Sequence, residues 1–150
     1  NDQEVEAVKA VLDAHNIKVS AIGSPLGKIT MDDDWAAHLE KAKRVFETAS
    51  ILGARYVRMF SFYAPDGKDI TTMKGQVTEA LEKMLLLARS HSVTLCHENE
   101  AKIYGDIPVR CRELLDHFGG ELKCVFDMGN FVLEEVDSFH DVGSFRGECI

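Results

Sequence analysis

The chain has 150 residues, 45% of them hydrophobic, which is enough for one soluble domain with a real core and crowded for two. A net charge of −8 and a pI near 5.2 disfavour a nucleic-acid partner, because a phosphate backbone is held by clustered Lys and Arg. No window approaches the ~20 uninterrupted apolar residues of a membrane span. The opening NDQEVEAVKA lacks the profile of a secretory signal, and Cys96, Cys111, Cys124 and Cys149 show no C-x-x-C spacing; a reduced, cytoplasmic setting is expected.

In chain order, Val5 to Ala14 predicts a helix and IKVSAIG (Ile17 to Gly23) a short buried strand. Trp35, Leu39, Ala42, Val45, Phe46, Ala49 and Leu52 then recur at three- and four-residue steps with charged residues between them. Asp32 to Asp34 offer N-caps for this helix and Gly53 its stop. RYVRMFSF (Arg55 to Phe62) reads as the second strand, and the stripe Val77, Leu81, Met84, Leu85 and Ala88 as the next helix. SVTLCHE (Ser92 to Glu98) follows, then a helix with Pro108 in its first turn and Gly119 at its end, then LKCVFDM (Leu122 to Met128). Strands alternating with helices of this length imply parallel pairing, since each helix supplies the crossover, and the fold class is α/β.

In such folds chemistry collects beyond the carboxyl ends of the strands. Here those ends read GSPLGK, SFYAPDGKD, ENEAKIYGD and DMGNF, whereas the opposite loops AHNI, LGAR, RSHSV and FGGEL are short and chemically plain. Side chains alternate along a strand, so Thr94, Cys96 and Glu98 share one face, and Lys123, Val125 and Asp127 share a face of the next strand. If Glu98 and Asp127 converge, like charges held that close call for a cation or a proton between them. Carboxylate oxygens suit Mg²⁺ or Mn²⁺, and added imidazole widens the choice to Co²⁺ or Zn²⁺. Spacing alone leaves a second reading open, in which Glu98 caps the following turn and Asp127 begins an Asx-turn.

The successive motifs IGSPLGKI, YVRMFSFYAPDG, LCHENEAKIYGD and FDMGNF resemble the strand ends of the sugar (phosphate) isomerase/epimerase group of xylose-isomerase-like barrels, in order from about Val5 to Leu133. The resemblance implies a (β/α)₈ TIM barrel with a divalent metal held by Glu, Asp, His and Glu of the last four strands. Glu98 matches the first ligand, which in epimerase relatives also transfers a proton, and Asp127 matches the second. Asn130 stands where many relatives carry the His of a D-x-x-H motif, and Glu100 where an E-N-H pattern has its His; both become candidate substrate contacts. A complete barrel runs to about 250 residues, so these four strands correspond to the third through sixth. The expected organisation is a partial barrel over residues 1–133 followed by a tail, 134–150, in which His140 and Glu148 are poor substitutes for the absent ligands. Two open sheet edges predict self-association or pairing with the missing barrel half.

The activity so implied is isomerisation or epimerisation of a small-molecule sugar or sugar phosphate by proton transfer beside a carbonyl, with the site incomplete in this chain. Arg58 and Lys28 are candidate contacts for a sugar oxygen or an anionic group, set against an ion-pair role for Arg58 and a solvated loop for Lys28. His97, of opposite parity to Glu98, is expected to pack as a neutral, satisfied His. His15, His38, His91 and His117 read as surface residues, and Tyr104 either covers the pocket or closes its loop. The alternatives are a catalytically inactive half-barrel serving as a binding or assembly module, and an endonuclease IV-like repair enzyme, which the acidity of the chain disfavours.

Overall fold

The computed structural model describes residues 1–134 together with Phe145 and Cys149. Helix α1 (Asp2–Ala14) precedes strand β1 (Ala21–Gly23), then α2 (Trp35–Leu52), β2 (Tyr56–Met59), α3 (Lys74–Ser90), β3 (Thr94–Glu98), α4 (Pro108–Phe118), β4 (Lys123–Val125) and the short α5 (Met128–Leu133). The four strands form one parallel sheet in the order β1-β2-β3-β4. Caps fall where the residue chemistry requires them. Asp34 accepts from the Ala37 N–H at the start of α2, and Gly53 and Gly119 end α2 and α4 with left-handed φ of 70° and 56°.

Register divides the sheet into two unlike faces. Val57, Met59, Leu95 and His97 point to the helix side and are buried there with Phe46, Leu81, Met84, Leu85 and Leu114. Tyr56, Arg58, Thr94, Lys123 and Val125 point the other way, toward what would be a barrel interior, and are only half-buried. The strands are shorter than their apolar runs suggest. β1 pairs with β2 through Ala21, Ile22 and Gly23 alone, so Ile17 to Val19 form no strand.

Beyond the strand ends the loops keep pairing. Phe60 donates its N–H to Leu26 O (2.8 Å), Tyr63 to Ile29 O (2.9 Å) and Tyr104 to Phe62 O (3.2 Å), forming a second tier above the sheet. Gly27 is needed in that tier: its φ is 85°, and a Cβ there would lie 1.9 Å from Phe60 O.

Two expectations are corrected, and one of the two alternatives for Tyr104 is found. Cys124 is not a free thiol: it is disulfide-bonded to Cys149, and the two also form a parallel bridge at the edge of β4, while Cys96 and Cys111 are free and buried. His38 is not at the surface. It is 5% exposed, packs edge-on to Trp35, and its Nε2 accepts the Gly27 N–H at 3.3 Å. Tyr104 closes its loop rather than opening onto a pocket: it is buried, and its hydroxyl donates to Glu113 Oε2 at 2.5 Å. His140 and Glu148 lie outside the described residues.

Candidate active site

Glu98 ends β3 on the inner face and is 9% exposed. Its Oε2 lies 3.0 Å from Arg58 Nη1 of the neighbouring strand. Apart from this ion pair, Oε2 is buried with no hydrogen-bond partner among the described residues. Burial raises the Glu98 carboxyl above its ordinary range; Arg58 opposes that shift, and the negative charges of Asp127 and Glu100 add to it.

Arg58 is held at both ends. Ser24 donates its hydroxyl to Arg58 O (2.5 Å), and the guanidinium sits 5.1 Å from the centroid of the Phe60 ring. Lys28 approaches the same ring, 4.3 Å from its centroid, and pairs with Glu100 Oε2 at 2.6 Å, joining the β1–α2 and β3–α4 loops across the end of β2.

On the other side Asp127 is the N-cap of α5, its Oδ1 accepting the Asn130 N–H at 3.1 Å. The turn that carries it is tied to β3 by Asn99. The Asn99 Oδ1 accepts the Asp127 N–H (2.8 Å), its Nδ2 donates to Asp127 O (2.7 Å), and its own carbonyl accepts from Asn130 Nδ2 (2.8 Å). Asn130 thus supports the turn. Asp127 has the capping role of the plainer sequence reading.

His97 faces away from this site. It is 1% exposed, and its Nε2 lies 2.9 Å from the hydroxyl of Ser61, which also accepts the Gly105 N–H at 2.7 Å. Burial lowers the His97 pKa to about 4, so the ring is neutral near pH 7. Gly105 must be Gly, since a Cβ would come within 2.3 Å of His97 Cε1.

Glu98 and Asp127 supply hard carboxylate oxygens, and the orphaned Glu98 Oε2 is the donor that a divalent cation would satisfy; their chemistry fits two positions of a metal shell. Among the described residues no group of three His, Cys, Asp or Glu side chains converges to complete it. Sequence reasoning overlooked Asn99, although an amide set directly after a strand-end acid was the available signal.

The chain belongs to the xylose isomerase-like TIM barrel family, whose model matches residues 1–146. It is similar in fold to a D-tagatose 3-epimerase-like protein (TM-score 0.82, 13% identity, covering 99% of this chain and 59% of that one). It is similar also to an L-ribulose 3-epimerase (TM-score 0.77, 17% identity, 97% and 52%). A third similar structure is the IOLI protein with a binding zinc atom (TM-score 0.74, 15% identity, 89% and 49%). The chain therefore spans 49–59% of the length of these structures and is a partial barrel of their kind. No curated protein sequence matches it. No helix among the described residues is long and apolar enough to cross a membrane.

Proposed function

We propose that this chain carries the central part of a metal-dependent sugar or sugar phosphate isomerase/epimerase that moves a proton at the carbon beside a carbonyl. The observation that carries the reading is the buried Glu98 carboxylate, with an oxygen lacking a hydrogen-bond partner among the described residues, between Arg58 and the charge of Asp127. A carboxyl raised by burial and restrained by a guanidinium is basic enough to take a proton from carbon and acidic enough to return it.

Glu98 and Asp127 would hold a divalent ion (Mn, Mg, Co or Zn), and that ion, when bound, would supply charge to oxygens on which negative charge develops. Arg58 neutralises Glu98 between turnovers and offers guanidinium N–H groups to a sugar oxygen. Lys28, Glu100 and Asn130 at the rim are proposed to contact the substrate, Lys28 serving an anionic group where the sugar is phosphorylated. The half-buried inner sheet face is proposed to close against the remaining part of a barrel or a second copy. A cytoplasmic setting belongs to the same proposal, and the Cys124–Cys149 disulfide weighs against it.

The test is Mn²⁺ binding by calorimetry or electron paramagnetic resonance. One ion should bind, and Glu98→Gln should weaken it at least tenfold, consistent with losing one charged ligand. Unchanged affinity in the variant would remove Glu98 from the site. Absence of binding at millimolar Mn²⁺ would favour the inactive half-barrel, the reading that the close Arg58–Glu98 ion pair supports.

A further inference from the structure

We infer that Asn99 is a positioning residue that locks the β4–α5 turn, with Asp127 and Asn130, to the strand end bearing Glu98; its bearing on a metal rests on the function proposed above. The last ladder partners of β3 and β4 are Glu98 and Val125, so nothing in the sheet itself fixes the backbone of Asp127. The Asn99 amide takes over there. It accepts from Asp127 N–H and donates to Asp127 O, reproducing with one side chain the pair of bonds that another strand residue would offer. At the same time its backbone carbonyl holds the Asn130 side chain, while the Asn130 N–H caps onto Asp127 Oδ1. The residue is 2% exposed, so water cannot replace these bonds without opening the turn.

Only an amide serves at this position. The two bonds require one donor and one acceptor on a short planar group. Asp would present two acceptors, one of them against Asp127 O, and would place a third negative charge beside Glu98 and Asp127. Leu would fill the volume, leave the Asp127 N–H without its partner, and leave Asp127 O only the long bond from the Phe131 N–H (3.5 Å). Asn99 thereby ties the position of Asp127, in the turn after β4, to the strand end that bears Glu98.

Asn99→Leu and Asn99→Asp separate this role from ordinary stabilisation, with Val57→Ala, fully buried on the opposite face, as the control for a general loss of stability. By hydrogen exchange on the metal-free protein, the Asp127 and Asn130 amides of Asn99→Leu should exchange roughly tenfold faster relative to those of β3, as expected for losing a hydrogen bond. In Val57→Ala that ratio should hold. Equal acceleration in the control and Asn99→Leu, or none in either, overturns the inference whatever the metal does. On the metal side, both Asn99 variants should bind Mn²⁺ about 10–100-fold more weakly than wild type. An effect of charge alone would make Asn99→Asp bind more tightly, so unchanged or tighter binding there overturns the positioning role. If wild type binds no Mn²⁺ while the exchange result holds, the metal reading falls and the positioning of Asp127 by Asn99 stands.

Discussion

The two faces of the four-stranded sheet carry different kinds of information. On the helix side, Val57, Met59, Leu95 and His97 are fully or almost fully buried, and the helices that cover them follow from apolar stripes. On the inner side, Arg58, Glu98 and Lys123 bring charge onto a surface that is only half covered, and the row of partners Gly23, Arg58, Cys96 and Lys123 has no apolar continuity at all. Fold is written on one face and chemistry on the other. The boundary runs between adjacent residues: His97 is sealed into the core layer while Glu98 meets Arg58 on the inner face.

The largest effect that would break this division is on the covered face. Leu95→Ala should cost about 2–5 kcal/mol in urea denaturation, the range for truncating a fully buried Leu. Thr94→Ala, its half-buried neighbour on the inner face, should cost less than about 1 kcal/mol. Comparable losses would mean that both faces are core.

Next in size is a pH effect with opposite signs at the two neighbours. His97 is held neutral, its pKa lowered to about 4. Its contribution is therefore fully present above the unfolded value near 6.5 and is lost as pH falls toward 4, amounting to roughly 3 kcal/mol over that window. Glu98, raised above 4.5, works the other way: its folded form holds a proton more tightly, so its contribution is present at low pH and lost as pH rises through its folded pKa. In metal-free protein, His97→Gln should flatten the decline in stability between pH 6.5 and 4, and Glu98→Gln should steepen it. A His97→Gln curve parallel to wild type would show that the histidine titrates in contact with water.

Much of this was legible in the sequence because alternation and helical period are local. The four strands, their parallel pairing and the opposite fates of His97 and Glu98 all follow from period two and period three to four. His38 was legible too, being three residues after Trp35 and four before Ala42, on the stripe that the helix buries; weight given to its polarity over its position hid it. What sequence could not show are relations across the chain. The bond of Cys124 to Cys149, 25 residues away, has no local signature. Nor does the reach of Asn99 to a turn 28 residues on, or the pairing of Arg58 with Glu98, because each depends on register between strands.

The smallest effect sharpens the comparison at the mouth of the site. Lys28 and Glu100 form a close ion pair, but their side chains are 36% and 26% exposed, where solvent and salt screen most of the attraction. The loops they join are already fixed to the β2–α3 loop by backbone bonds, the first from Phe60 to Leu26 and from Tyr63 to Ile29, the second from Tyr104 to Phe62. Lys28→Met should therefore change stability by less than about 1 kcal/mol, and 1 M salt should erase the difference in a denaturation series. A loss above about 2 kcal/mol would assign the pair to holding the loops together, and Lys28 would no longer be available to an anionic substrate. With only a small loss, the cation stays free to exchange Glu100 for a ligand, since the bond it surrenders is worth little to the fold.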